Sequence, residues 1–267
     1  MKILSFDVGG SKIAWALIDE NGVILNEVKT IPTPKDATEI ADFFQTVVND
    51  NVYDGFALAT AGVVFNNKLV GKPNNLPSGY ENIFFDKISK TPYIVENDAN
   101  SAMWAEYKIG NLQGVQNGIM LTLGTDVGCG IICNGQILHG KCGAAGEVVF
   151  DCSGRSLQKI ATEQGLKESD CFVIYESAKR QDGIERKSYK IWQNKLLESM
   201  VILNNILDTE VITLSGSLAK IVDYATVNAS VKILQPRNAP QIKPAVCGTN
   251  AGIIGAALLC AQKLKGM

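Results

Sequence analysis

The segment "LSFDVGGSK", Leu4–Lys12, joins an apolar strand to a turn that contains two glycines. Glycine has no Cβ, so backbone N–H groups in such a turn can approach an anion closely. Ser11 adds a hydroxyl, Lys12 adds a cation, and Asp7 at the end of the strand can hold Mg²⁺ directly or through water. The segment therefore indicates a phosphate-binding loop or, as the plainer alternative, a tight hairpin without a ligand. The chain has no GxxxxGK(S/T) and no GxGxxG, which argues against a P-loop enzyme and a dinucleotide-binding Rossmann fold.

A second glycine-rich segment repeats the plan of the first. Both Ile3–Leu25 and Ile119–Leu138 read as a strand, a glycine turn, a second strand, an Asn-Gly turn and an apolar start. We interpret this as a two-fold internal repeat in an α/β protein. Two matched turns, the second with Thr125 as its hydroxyl, favour phosphate binding over two empty hairpins.

Two further segments carry polar side chains between apolar runs. In "VENDAN", Val95–Asn100, a strand gives way to a helix, which is where open α/β sheets place ligands. Asn97 can donate to and accept from a polyol, and Asp98 can take the proton of an attacking hydroxyl, although a lone acid at this position is by default a helix cap. In "GKCGAAGEVVF" the only acid is Glu147, for which a sugar hydroxyl is one candidate partner.

Composition excludes several classes of partner. The 267 residues are 46% apolar and 19% charged with a net charge of −2, and no basic stripe is present, so nucleic acid and anionic membranes are not expected. No apolar run approaches the ~20 residues of a membrane helix, and no signal peptide precedes the first strand. Seven irregularly spaced cysteines without CxxC indicate a reduced, cytoplasmic protein, and His139, the only histidine, lacks zinc-ligand spacing.

Periodicity and turn residues predict the main elements. Strands are expected at 3–6, 13–18, 23–28, 56–60, 93–95 and 211–214, and helices at 38–48, with Thr38 as cap, 99–107, 187–207 and 251–264.

Five segments in this order resemble the ROK family (repressors, open reading frames and sugar kinases): "FDVGGSK", "ENDAN", "LGTDVGCGI", "NGQILHGKCGAAGE" and "LSGSLAK". The resemblance spans essentially the whole chain, and "ENDAN" with "GAAGE" is its most specific part. It implies an actin-like ATPase fold with two ribonuclease-H-like lobes around a central cleft. The expected lobes are 1–108, completed by a C-terminal helix at 250–267, and 109–249.

The resemblance also implies an ATP-dependent kinase, with magnesium, that acts on the 6-hydroxyl of a hexose or N-acylhexosamine. Asp98 resembles the catalytic base of the family. The positions that resemble sugar ligands are Gly62, Asn75, Asn97, Asp98 and Glu147. Those that resemble nucleotide and phosphate ligands are Asp7, Gly9, Gly10, Ser11 and Lys12 in the first loop, Gly124, Thr125 and Gly128 in the second, and Gly216 on the adenosine side, with Asp7 also facing Mg²⁺.

The chain departs from the family after Glu147. The usual pattern continues with Gly-His and a cysteine-rich zinc loop, whereas this chain has Phe150 at the histidine position and retains only Cys152. Since a structural zinc takes four ligands, no zinc is expected, and the sugar pocket loses two contacts. Asp126 is a smaller departure: a carboxylate beside a phosphate loop repels ATP unless magnesium or Lys12 offsets its charge, or it points away from the loop.

Three short segments resemble bacterial N-acetylmannosamine kinases most: "ATAGVV", "NNLPSG" and "SAMWAEY". N-acetylmannosamine is therefore the first expected substrate, followed by glucose and then fructose. A homodimer is expected from family habit. A ROK repressor would need a DNA-binding helix-turn-helix ahead of the first strand, and since the sequence starts at that strand, a repressor is not expected. A non-catalytic sugar-binding relic and a carboxylate kinase of the same superfold remain as rival functions.

Overall fold

A computed structural model describes residues 1–167 and 170–266 of the chain. The described chain divides into two compact units. Unit 1 contains Met1–Gln113, Ile137–Ala145 and the described residues from Val246 onward, and unit 2 contains Gly114–Gln136 and Gly146–Ala245. The expected lobe boundary at 108/109 and the assignment of 137–145 and 246–249 to the second lobe therefore differ from the division that the structure shows.

The strands of the described residues are β1 Lys2–Val8, β2 Lys12–Asp19, β3 Lys29–Pro32, β4 Gly55–Thr60, β5 Val64–Phe65, β6 Lys68–Leu69, β7 Tyr93–Asn97, β8 Gly118–Leu123, β9 Val127–Cys133, β10 Gln136–Ile137, β11 Val211–Ser215 and β12 Gln241–Pro244. The α-helices are α1 Ala37–Asn49, α2 Phe85–Ile88, α3 Asp98–Ile109, α4 Gly154–Glu163, α5 Cys171–Arg180, α6 Ile184–Leu207, α7 Tyr224–Leu234 and α8 Ala251–Lys265. Short 3-10 helices lie at Tyr80–Asn82, Ser217–Ile221 and Gly248–Asn250. No helix within the described ranges is long and apolar enough to cross a bilayer.

The sheet of unit 1 has the order β3-β2-β1-β4-β7. β1 is antiparallel to β2 but parallel to β4, which is parallel to β7. Strand β4 is buried along its whole length, as expected for a parallel strand covered on both faces. The carboxyl ends of β1, β4 and β7 consequently meet at one edge of this sheet.

Two predicted elements of unit 1 are wrong in detail. Residues 23–28 do not form the third strand, which is Lys29–Pro32 instead. The side-chain oxygen of Asn26 accepts from the N–H of Leu17 at 2.7 Å. This N–H is therefore bonded to a side chain instead of to the backbone of a third strand. The first long helix starts at Ala37 because Asp36, rather than Thr38, caps it by accepting from the N–H groups of Thr38 and Glu39.

Helices α3 and α8 pack against each other and α8 also packs on β1 and β4. Small residues make this possible: Gly255 lies directly against the carbonyl of Ser101, where a Cβ has no room. The fully buried Glu106 of α3 also binds the backbone of the segment that leads into α8. One carboxylate oxygen accepts from the N–H groups of Val246 (2.7 Å) and Cys247 (2.6 Å), and the other from the N–H of Asn111 (2.9 Å).

Unit 2 repeats the strand arrangement of unit 1. Its sheet has the order β10-β9-β8-β11-β12, again with an antiparallel hairpin first and parallel strands after it. Helix α6 covers this unit with Trp192, which is fully buried and donates from Nε1 to the carbonyl of Ser153 at 3.1 Å. The two-fold repeat read from the glycine segments therefore corresponds to two sheets of identical strand order.

Candidate functional site

The strand register of unit 1 brings the predicted polar side chains to one edge. Across β1, β4 and β7, Val8 aligns with Thr60 and Thr60 with Asn97. Asp7 and Glu96 lie one row further in, each paired with Ala59 of the central strand. Asp98 follows as the first residue of α3. The edge therefore gathers three carboxylates and one amide within two residues of the strand ends.

The first glycine loop is a closed turn between β1 and β2. The N–H of Gly9 donates to the carbonyl of Lys12 at 3.0 Å, and Thr33 holds the turn from β3's side by donating to the carbonyls of Ser11 and Gly9. Gly10 is exposed and lies against Asn75, whose backbone oxygen would be 2.7 Å from a Cβ at position 10. The lack of a side chain at Gly10 thus allows the segment of Asn75 to approach the loop, which places two predicted site residues side by side.

Asp7 has an altered acidity. Removal from water and, to a lesser extent, the negative charge of Asp98 raise the pKa of its carboxyl to about 7, although the charge of Lys12 opposes the shift. The carboxylate also lies against the backbone of Gly252 in the first turn of α8, at a position that a Cβ would occupy. Asp7 and Asp98 are thus close enough to sense each other's charge, an arrangement that a cation between or beside them would stabilise.

Asn97 caps helix α3 and also bonds to the turn at Gly62. Its side-chain oxygen accepts from the N–H of Asn100 at 3.1 Å, and its amide nitrogen donates to the carbonyl of Gly62 at 3.0 Å. Gly62 has φ +102° and packs against Pro73. The cap is thus Asn97, not Asp98, whose carboxylate instead accepts from the next N–H, that of Ala99, at 2.8 Å.

Sequence reasoning missed two residues of this edge. Glu96 is buried and its carboxylate oxygen Oε2 lies 2.7 Å from Nε2 of His139, a residue considered only as a zinc ligand above. Glu96 raises the pKa of the His139 imidazole through this hydrogen bond, against the effect of burial. A buried acid one residue before Asn97-Asp98 was the available signal, but its partner is 43 residues away in sequence.

Tyr80 and Thr60 form a second pair that the sequence did not indicate. The Tyr80 hydroxyl and Thr60 Oγ1 are 2.9 Å apart, and both residues are fully buried. Burial raises the pKa of the Tyr80 phenol, and the charges of Asp7 and Asp98 raise it further although the bond to Thr60 opposes the shift. Tyr80 therefore remains a neutral hydroxyl beside the carboxylates.

In unit 2 the second glycine loop also follows a parallel strand. Gly128 pairs with Thr122 across the hairpin, and Gly216, at φ +85°, lies against the backbone of Leu123 after the neighbouring strand β11. The start of α4 packs on the loop, since the N–H of Gly154 donates to the carbonyl of Gly124 at 2.8 Å. The structure thus brings Gly124, Thr125, Gly128 and Gly216 to one edge of the second sheet. Glu147 also belongs to unit 2 and is exposed.

Asp126 has a cationic partner of its own. Its two carboxylate oxygens lie 2.8 and 3.1 Å from Nη1 of Arg155 in the first turn of α4. Both side chains are more than half exposed, so the pair contributes little to stability. The charge of Asp126 is nevertheless offset by Arg155, a partner that the sequence interpretation, which considered magnesium and Lys12, did not name.

No cluster of three or more His, Cys, Asp or Glu side chains suited to a metal ion occurs within residues 1–167 and 170–266. Cys152 is buried as a free thiol and lies 3.8 Å from Oγ of Ser199, away from further thiols or imidazoles among its described contacts. Absence of zinc remains a prediction. For Mg²⁺, the carboxylate of Asp7, close to that of Asp98, offers the oxygen donors that this ion prefers.

A family model and curated relatives both relate this chain to the same protein family. The model of the ROK family matches residues 3–148 and 151–263. An N-acetylmannosamine kinase of Yersinia pestis (strain Pestoides F) is 27% identical over 285 residues, covering 96% of this chain and 97% of the relative.

Solved structures show the same fold. A ROK hexokinase from Thermus thermophilus superposes with a TM-score of 0.86 at 24% identity over the full length of both chains. A ROK family glucokinase from Streptomyces griseus, solved with glucose and AMPPNP, gives 0.76 at 24% identity over 98% of this chain and 100% of the other. The prediction of an α/β, actin-like ATPase fold with two ribonuclease-H-like lobes is confirmed.

Proposed function

Because the chain belongs to the ROK family, and its relatives support a sugar kinase, we propose that it transfers the γ-phosphoryl group of ATP to the 6-hydroxyl of an N-acylhexosamine or hexose, with N-acetylmannosamine as the first substrate. The observation that carries the proposal is the carboxylate pair of unit 1. Asp98 is the first residue of α3 and lies close enough to Asp7 to raise the pKa of its carboxyl. The first glycine loop lies at the same edge of the sheet.

The residues of unit 1 suit phosphoryl transfer, which depends on positioning and charge neutralisation more than on covalent chemistry. Asp7 would hold Mg²⁺, and the turn at Gly9, Gly10, Ser11 and Lys12 would bind phosphate oxygens. When bound, Mg²⁺ would neutralise negative charge on the phosphates. Asp98 accepts the proton of the sugar hydroxyl as that hydroxyl attacks the γ-phosphorus and the bond from this phosphorus to ADP breaks. Removal of such a base typically costs about 10²–10⁴ in rate.

The remaining predicted ligands divide between sugar and nucleotide. For the sugar we propose Gly62, Asn75, Asn97 and Glu147, since Asn97 keeps one N–H and one lone pair beyond its bonds to Gly62 and Asn100. For the nucleotide we propose Gly124, Thr125 and Gly128 for phosphates and Gly216 for the adenosine side. Homodimerisation and independence from zinc are parts of the same proposal.

The choice of sugar rests on the N-acetylmannosamine kinase relatives, which are 27% identical. Glucose is the second candidate, favoured by the similarity to a glucokinase solved with glucose. A non-catalytic sugar-binding protein is the alternative of another class, because Phe150 and the missing cysteine-rich segment remove two family sugar contacts.

A coupled ADP-release assay with Mg-ATP tests the proposal. The panel contains N-acetylmannosamine, N-acetylglucosamine, mannose, glucose and fructose, each with and without a zinc chelator. We expect chelator-resistant turnover of N-acetylmannosamine that Asp98→Asn abolishes and Asp42→Asn leaves intact, since Asp42 is an exposed acid on α1 of the same unit. Sugar binding without turnover of any sugar would instead support the non-catalytic alternative.

A further inference from the structure

The segment 137–145, which we call the Gly140 loop, is fastened to unit 1 at several points. The N–H of Ala145 donates to the carbonyl of His139 at 3.3 Å and closes the loop on itself. Gly143, at φ +84°, packs directly against the carbonyl of Val64, where no side chain would fit. The side chain of His139 adds a second attachment to the rest of unit 1 through Glu96, at 2.7 Å.

Glu96 uses both carboxylate oxygens and joins the Gly140 loop to the start of α3. Oε2 bonds to His139, whereas Oε1 accepts from the N–H of Asn97 at 2.9 Å and from the side-chain amide of Asn100 at 3.1 Å. Only 8% of the Glu96 side chain is exposed, and Asn100 is buried too. Oε1 therefore fixes the backbone of the turn that presents Asp98.

Loss of the imidazole would disturb this arrangement. A buried carboxylate that loses a donor must find another donor, take up a proton or move, because an unsatisfied buried charge is costly. Within residues 1–167 and 170–266, His139 is the donor to Oε2 of Glu96, and each of these responses changes what Oε1 offers to Asn97 and Asn100. The imidazole also places a donor group next to an edge that already carries the acids Asp7 and Asp98.

We propose that His139 and Glu96 are positioning residues that hold the Asn97-Asp98 turn in its reactive geometry and tie the Gly140 loop to it. Neither residue touches the reacting atoms, so they act through Asp98. The proposal rests on the proposed function, in which Asp98 is the base. It goes beyond that function by adding a residue pair that the family resemblance did not supply.

Steady-state kinetics of four variants test the pair: His139→Ala, His139→Gln, Glu96→Gln and, as a control, Lys141→Ala. Lys141 is an exposed cation of the same loop. We expect His139→Ala to lower kcat roughly tenfold, as for loss of one hydrogen bond to a charged group, with the KM for ATP unchanged. His139→Gln should restore kcat to within about threefold of wild type because its amide can donate to Glu96. The double variant His139→Ala/Glu96→Gln should lose less than the product of the single losses.

Hydrogen exchange of the peptide covering 95–105 gives a readout that needs no turnover. In His139→Ala this peptide should exchange faster than in wild type or Lys141→Ala, with peptides of β2 unchanged. Equal kcat in His139→Ala and Lys141→Ala, multiplicative losses in the double variant, or unchanged exchange at 95–105 would each overturn the inference. An inactive wild type with the expected exchange difference would instead overturn the proposed function and leave the pair as the holder of the turn.

Discussion

The side-chain amide of Asn97 donates to the carbonyl of Gly62 at 3.0 Å, so the cap of α3 and a glycine turn 35 residues earlier are directly bonded. Both residues were predicted as parts of a sugar pocket. Asn97 therefore also has a structural role, since its side chain bonds to Gly62 and accepts from the N–H of Asn100 as the helix cap. Variants at position 97 must therefore separate the cap from the bond to Gly62.

Substitution Asn97→Asp should preserve the cap and remove the donor to Gly62. Asp caps helices about as well as Asn, so we expect a loss of about 1 kcal/mol from the missing bond, with more than tenfold loss of sugar phosphorylation. Asn97→Ala should lose roughly a further 1 kcal/mol because the cap disappears as well. Urea denaturation of the three proteins measures both steps, and equal stability of the two variants would contradict the assignment of the cap.

Gly62 and Gly71 provide a matched pair of glycine positions. Both have positive φ (+102° and +80°), but a Cβ at Gly62 would lie 2.9 Å from Pro73 whereas a Cβ at Gly71 has open space. Gly71→Ala should cost about 1 kcal/mol from backbone strain alone, and Gly62→Ala about 1–3 kcal/mol more from the clash. Thermal or urea unfolding compares them. If the two variants were equally stable, the packing of Pro73 on Gly62 would not be what fixes this turn.

Asp7→Asn should stabilise the protein at high pH in the absence of Mg²⁺. The carboxyl has a folded pKa of about 7 and an ordinary value of 3.8, so ionisation opposes folding as the pH rises from about 4 through 7. Wild type and Asp7→Asn should differ little near pH 4, and the variant should be about 4 kcal/mol more stable at pH 8, since a pKa shift of roughly three units is worth about that much. The comparison requires unfolding free energies at both pH values.

The cause of this shift can be tested with the neighbouring acid. Because the charge of Asp98 contributes to the raised pKa of Asp7, Asp98→Asn should move the Asp7 titration to lower pH, as followed by NMR of the carboxyl carbon. Asp42→Asn should leave it unmoved. A titration unaffected by Asp98→Asn would place the two carboxylates further apart than we infer.

Glu106→Gln should be strongly destabilising although it changes few atoms. The carboxylate accepts from three backbone N–H groups, those of Asn111, Val246 and Cys247, and an amide cannot accept at both of its ends. We expect a loss of roughly 2–4 kcal/mol in urea denaturation. The exposed Glu198→Gln on α6 is the matched control and should change stability by less than about 0.5 kcal/mol.

Local chemistry predicted much of the edge of unit 1. The acid near the end of β1, the glycines after it and the Asn-Asp at the start of α3 could be placed because apolar runs and turn residues mark strand ends over short distances. The bond from His139 to Glu96 and that from Tyr80 to Thr60 could not, since they join residues 43 and 20 positions apart through tertiary packing. The prediction of a strand at 23–28 was wrong for a related reason, because the side chain of Asn26, and not a backbone carbonyl, accepts from the N–H of Leu17. Asp126 needed its partner Arg155 on α4 before its charge could be interpreted.

The burial of α8 against β1, β4 and α3 sets the order in which the protein can be completed during synthesis. The first 113 residues of unit 1 leave the ribosome early, but Gly252, Gly255 and Cys260, which contact Asp7, Ser101 and Gly55, emerge only after all of unit 2. Unit 2, whose segments lie between residues 114 and 245, is therefore available to fold while the first sheet still exposes an apolar face. A nascent chain stalled before residue 246 would expose that face to chaperones and proteases, and release of the final helix would remove it in a single step.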